Sequence, residues 1–212
     1  GLVLSPYGSY WRNARKICVI QLLGTKRLES FRYIREEEVS IAMRGIWERS
    51  RQGTVAINIS TAIQSLTSAI IWRILAGTKY SDTSGKELRD MVEEVKAIAI
   101  NIGDFIPYLD WLDLQGNTRR MKKAHLFFDR VVQKIINDHV NTKRTQTSNV
   151  KDIIDVLLEM SEIDIVNIKA IILDLFLAGL ETTASSLEWT MSEMMRNPHI
   201  ANKLQQEIEY VV

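Results

Sequence analysis

Apolar residues recur along this chain at helical rather than strand spacing. Ile63, Leu66, Ile70, Ile71 and Ile74 lie mostly three or four positions apart, which lines them up on one side of a helix. They predict a core helix from Thr61 to Leu75, capped by Ser60 and closed by Gly77. Further helices are expected from about Ser9 to Leu22, ended by Gly24, and from about Lys26 to Arg49, with Glu36, Glu37 and Glu38 on a solvated side. Lys86 to about Ala99 is amphipathic, and Gly103 to Gly116 reads as a loop with Pro107 and the aromatics Phe105, Tyr108 and Trp111. Thr118 to Val140 reads as a long helix with a basic start, and Asp152 to Met160 as a short one. Between them, Asn141 to Asn149 holds no apolar residue and reads as a mobile linker. Val55 to Ile59 is the one β-like run. The pattern is that of a mainly α fold, with residues 1–212 forming a single, incomplete domain.

The longest predicted element runs from Ile165 to Asn197, with Pro198 opening the final helix. At 1.5 Å per residue it is roughly 50 Å long. Its first half, Ile168 to Leu180, is apolar on nearly every side and is expected to be buried all round. In its middle, Ala178-Gly179-Leu180-Glu181-Thr182-Thr183 places small residues, a carboxylate and hydroxyls where bulky hydrocarbon belongs. Asp174, Ala178, Glu181, Thr182 and Ser185 share one face. Thr182 is placed to turn its hydroxyl back to the Ala178 carbonyl, which favours a local bend. A carboxylate beside a hydroxyl suits proton relay. Two readings stay open from spacing alone: a notch for a crossing helix, or a site for a flat ligand.

Near the start, Trp11 and Arg15 are four apart and share a helix face. Arg15 offers a fork of donors suited to a carboxylate, and Trp11 an indole N–H. The plainer reading is a surface cation–π pair, worth ~0.5–1 kcal/mol when exposed.

Composition narrows the class. At 46% apolar, 25% charged and a net charge of +1, the chain reads as globular, with no reason to invoke nucleic acid. No run reaches the ~18 apolar residues of a membrane span; the nearest, Ile163 to Leu180, is broken by Asp164, Asn167, Lys169 and Asp174. No secretory signal follows Gly1, and the missing initiator Met points to a piece of a longer chain. The one cysteine, Cys18, sits among Ile17, Val19 and Ile20 and is expected to be a small core residue. His125, His139 and His199 form no i, i+4 metal pair and are expected at the surface, with no zinc or other protein-ligated metal. No glycine-rich phosphate loop is present, so no nicotinamide or flavin is expected to bind directly.

The Ala-Gly-x-Glu-Thr-Thr run, with Ile168 to Asp174 before it and Glu188-Trp189 and Arg196-Asn197-Pro198 after it, resembles the central long helix of a plant microsomal cytochrome P450. Tyr7-Gly8-Ser9-Tyr10-Trp11-Arg12-Asn13-Ala14-Arg15-Lys16 resembles the same family's haem-edge helix. Gly103 to Pro107 and Trp111 to Asp113 agree, so the resemblance covers essentially the whole chain. It implies the helical part of the P450 fold without the C-terminal haem-thiolate portion, since no Phe-x-x-Gly-x-Arg-x-Cys loop or Glu-x-x-Arg helix occurs here. It further implies a haem cofactor and a monooxygenase that inserts one oxygen atom of dioxygen into a small apolar substrate. Electrons would come from NADPH through a cytochrome P450 reductase. A membrane anchor would precede this region and hold the protein on the cytosolic face of the endoplasmic reticulum. By resemblance, Trp11 and Arg15 hold a haem propionate, and Ala178 and Gly179 leave room over the porphyrin. Glu181 and Thr182 bring protons to dioxygen, while Asp174, Leu177 and Phe105 neighbour the substrate. The iron's cysteine ligand is not among these residues, so this stretch alone is expected to be inactive. The rival reading is a helical interaction or scaffold domain, or an inactive remnant.

Overall fold

Helices supply the regular structure throughout the computed structural model, which describes residues 1–3, 5–51, 53–77, 116–142, 151–160 and 163–211. In chain order they are α1 (Ser9–Ile17), a π-helical turn (Cys18–Leu22), α2 (Thr25–Ser30), α3 (Arg32–Arg49), α4 (Ile59–Ala76), α5 (Asn117–Thr142), α6 (Ile153–Glu159), α7 (Ile165–Arg196) and α8 (Pro198–Val211). No strand occurs among the described residues, so the mainly α expectation holds and Val55 to Ile59 is not β. The expected helix at 86–99, the aromatic loop with Phe105, and most of the 141–149 linker lie outside the described residues. The chain forms two compact units, one of Gly1–Leu28 and Trp72–Asp174, the other of Glu29–Ile71 and Leu175–Val212.

In the first unit, α1 buries Ala14 and Ile17 and then widens instead of continuing as the single helix expected. The Leu23 N–H donates to the Cys18 carbonyl at 2.9 Å, a bond spanning five residues. The wider turn puts Cys18 and Leu22 on the same buried side, at 3% and 0% exposure. Against this turn packs α6, which also packs on α5. At seven residues α6 is too short to persist alone, so burial has to hold it. It buries Ile153, Ile154, Val156 and Leu157, and Asp152 caps it by accepting the Asp155 N–H at 2.8 Å. Ala124, Phe128, Val132 and Ile136, four apart, form the buried stripe of α5. Lys169 reaches Asp129 of α5 at 2.6 Å, tying the start of α7 to it.

In the second unit, the helix expected from Lys26 to Arg49 is broken at Phe31, whose ring is 1% exposed. Holding that ring inside takes the backbone to φ −95°, ψ 7°, outside helical geometry, and α3 starts afresh at the next residue. Glu38 corrects the expectation of a solvated acidic side: it is buried at 8% exposure, while Glu36 is exposed. The cap of α4 also falls earlier than expected. Asn58 Oδ1, not Ser60, accepts the Thr61 N–H at 3.1 Å. By length and composition α4 matches a membrane span, yet it buries Ala62 and Ile63 in this unit and, past Ile71, Trp72, Leu75 and Ala76 in the first. Its buried Thr67 and Ser68 hydroxyls donate to the Ile63 and Gln64 carbonyls at 3.1 and 2.6 Å, so their burial leaves no donor stranded.

Helix α7 runs unbroken to Arg196, and Pro198 begins α8, where its missing N–H costs nothing. Its first half is not buried all round. Ile168, Ile171, Ile172, Phe176, Leu180 and Ala184 form one buried row, and the remaining positions are half-buried or exposed. Leu157→Ala, at a fully buried position, is expected to cost about 2–5 kcal/mol in chemical denaturation. Val19→Ala, 54% exposed on the neighbouring π turn, should stay within about 0.5 kcal/mol of wild type.

Candidate functional site

In the second unit, the small-residue face of α7 is open. Ala178, Glu181 and Thr182 are exposed and Ser185 is half-buried. The Thr182 hydroxyl donates to the Ala178 carbonyl at 2.8 Å, the back-bond expected from its spacing. The pattern continues down the helix: Ser186 donates to the Thr182 carbonyl at 2.8 Å and Thr190 to the Ser186 carbonyl at 2.7 Å. Each hydroxyl spends its proton on its own helix, leaving its oxygen lone pairs to accept from outside. Gly179 points elsewhere. A methyl built there would stand 2.9 Å from Ile71 Cδ1 of α4, so the missing side chain is what lets the two helices approach. The packing notch and the open face thus occupy adjacent residues.

Asp174, one turn before that face, is described within the first unit. Its carboxylate accepts the backbone N–H groups of Leu2 and Val3, the latter at 3.1 Å. It therefore pins the amino-terminal residues, a role that spacing alone did not reveal. Leu177 is half-buried. Burial, then the Asp174 charge, pushes the Cys18 thiol up from its ordinary value, which keeps it protonated and inert, as a core residue should be. The same order of causes raises the Tyr10 phenol, with Asp164 and Cys18 adding to it.

On α1, the Arg15 guanidinium lies 5.2 Å from the centre of the Trp11 ring. Tyr7 extends the cluster, with its ring 5.4 Å from that of Trp11 and the Arg12 guanidinium 5.5 Å from its centre. Arg15 is exposed, and no carboxylate among the described residues pairs with it. Its fork of donors therefore remains open to an external anion, with the ring beneath fixing its direction. Taken separately, the cationic fork of the first unit suits a carboxylate, and the small-residue face of the second suits the approach of a flat group. A separate cleft of about 320 Å³ in the first unit, lined by Asn13, Lys16, Ile17, Ile20, Gln21, Glu159 and Met160, includes none of the predicted site residues.

One expectation is corrected here. His125 and His199 are exposed, but His139 is not a surface residue, with 13% of its side chain accessible. Its Nδ1 lies 2.8 Å from the Ile135 carbonyl and its Nε2 2.8 Å from Asp152 Oδ2. With Asp155, these groups bring ligand-type atoms within 4.8 Å of one another. Both ring nitrogens face hydrogen-bond partners, so a cation would have to displace the contact with Asp152 or with the Ile135 carbonyl.

The Gly179 contact generates a coupling prediction. Alanine is a better helix former than glycine by about 1 kcal/mol, but the new methyl has to displace Ile71 Cδ1. Gly179→Ala is expected to be about 1 kcal/mol more favourable in an Ile71→Val background than in wild type. A double-mutant denaturation cycle measures the difference, and additivity would show that the two residues do not meet.

Comparison with known proteins agrees along the whole chain. The family model for cytochrome P450 matches residues 1–212. The chain is 49% identical to cytochrome P450 750A1 of Pinus taeda, covering 100% of this chain and 44% of that protein. It is 38% identical to cytochrome P450 71A1 of Persea americana, covering 100% of this chain and 45% of the relative. Flavonoid 3'-monooxygenase of Petunia hybrida is 36% identical, over 100% of this chain and 44% of its own length. The chain thus spans less than half the length of these relatives. On a match of this extent, the chain belongs to the cytochrome P450 family, and its helices are part of the helical portion of that fold.

Proposed function

We propose that this chain, as one part of a single catalytic domain, serves a haem-thiolate monooxygenase that inserts one oxygen atom of dioxygen into a small apolar organic substrate. Electrons reach it from NADPH through a cytochrome P450 reductase, and the protein works at the cytosolic face of the endoplasmic reticulum membrane. The observation that carries this reading is the open face of α7, where the Thr182 hydroxyl rests on the Ala178 carbonyl beside the exposed Glu181. Family membership and the monooxygenase named among the relatives support it.

The haem, when bound, supplies the oxygen-activating chemistry. This chain's residues do the rest. Arg15, directed by Trp11, would bind a propionate through a guanidinium that no carboxylate among the described residues engages. Ala178 keeps the open α7 face low so that a flat ring can approach, whereas Gly179, expected to share that role, faces Ile71 and serves the packing of α4 instead. Glu181 exchanges protons with bulk water, and Thr182 Oγ1 holds the next proton at the pocket side. Relaying protons through two side chains admits them without filling the pocket with water. Leu177 offers an apolar side chain toward the substrate, while the roles of Phe105 and of Asp174, whose carboxylate holds the amino-terminal residues, rest on the family resemblance alone.

Two experiments on the full-length enzyme test this. Thr182→Ala should uncouple electron consumption from product and raise peroxide release several-fold; unchanged coupling would remove Thr182 from the proton route. Arg15→Ala should lower the haem content of the purified protein, whereas full occupancy would overturn the propionate assignment.

A further inference from the structure

Outside the proposed site, the most constrained polar group is His139 at the last turn of α5. Its two ring nitrogens face two acceptors, the Ile135 carbonyl and the Asp152 carboxylate, each at 2.8 Å. A neutral imidazole carries one N–H, so it would turn a lone pair toward one of these oxygens. Only the imidazolium satisfies both, and at 13% side-chain exposure water only partly replaces either bond. Asp152 is equally committed. Oδ2 takes His139 while Oδ1 takes the Asp155 N–H at 2.8 Å as the cap of α6. Gly77, just past the end of α4, closes the third side: at φ +65° it lies so near that a side chain would collide with Asp152 Oδ2.

We propose that His139 is a proton-dependent clasp, which in its charged form pins the last turn of α5 to the cap of α6 and to the Gly77 turn. Among the described residues, the charged groups acting on it are Asp152 and Asp155, both at the start of α6. Its own helix contributes the Ile135 carbonyl, and the Gly77 turn contributes uncharged backbone. The Asp152 hydrogen bond, opposed by burial and aided by the charges of Asp152 and Asp155, raises the imidazole from 6.5 to about 8. Because the folded value lies above the unfolded one, the clasp contributes fully below about pH 6.5 and is lost as pH rises through about 8. The gap between 6.5 and about 8 corresponds to roughly thirty-fold in the closed-to-open equilibrium. This device is independent of the haem reading and holds whether or not that reading does.

The test uses hydrogen–deuterium exchange at histidine C2, followed by mass spectrometry, on the full-length protein. Cleavage after Lys and Arg puts His125, His139 and His199 on separate peptides. The exposed His125 and His199 control for the exchange conditions. His139 is expected to titrate near 8, above the ordinary 6.5. A midpoint at or below 6.5 overturns the proposal without any variant being made. Backbone exchange of residues 153–157, normalised to the unfolded chain, should lose protection by up to roughly thirty-fold between pH 6.5 and 9. That loss should vanish in His139→Gln, and an identical pH dependence in the variant overturns the proposal.

Discussion

The buried row along α7 (Ile168, Ile171, Ile172, Phe176, Leu180 and Ala184) is the constraint from which the other features of that helix follow. Each large side chain in it contributes about 1.5–3 kcal/mol by leaving water, far more than any exposed polar contact on the same helix. The helical repeat then allows no choice elsewhere, because positions between these residues must point another way. Ala178, Thr182, Ser186 and Thr190 fall on such positions and are exposed. Their hydroxyls bond to their own helix carbonyls, so this side presents oxygen atoms without requiring a protein partner. One helix thereby offers a packed row and a polar, low-volume face, which is the combination that a wall beside a reacting ligand needs.

Polar groups inside the first unit follow a stricter logic than those on the surface. Arg32 pairs with Glu29 and Glu36 on the exposed side of α3, where solvent screens the charges and side-chain entropy opposes the pairing. Asp152 is enclosed, and each of its oxygens has a separate partner. No buried side-chain nitrogen or oxygen lacks a hydrogen-bond partner among the described residues. Enclosed groups of this kind specify geometry as well as stability, since no alternative arrangement would satisfy them all.

Local pattern made much of this legible. The helical period located α1, α4, α5, α6 and α7, and Pro198 marked the junction with α8. Spacing by four residues also foretold the Trp11–Arg15 stack and the Thr182 back-bond, because both contacts form within one helix. What escaped depends on neighbours distant in sequence. Phe31 breaks a helix because its ring is buried, and Glu38 is buried although charged residues usually face water. The Asp174 carboxylate meets residues at the other end of the chain. His139 finds its partner across a stretch without apolar pattern; the available signal was an Asp at the cap of a short apolar helix. The functional assignments of Glu181, Thr182, Trp11 and Arg15 came from motif resemblance, since spacing alone also suits a helix crossing and a surface pair.

The sulfur of Cys18 lies inside the π turn, and it is the single thiol in these 212 residues. Burial and a nearby carboxylate keep it protonated, so a soft electrophile in the medium meets neither an accessible atom nor a nucleophile while the turn is shut. Its alkylation clock therefore counts openings of the segment from α1 through the π turn, giving the chain a chemical probe of local unfolding that no engineered label has to supply.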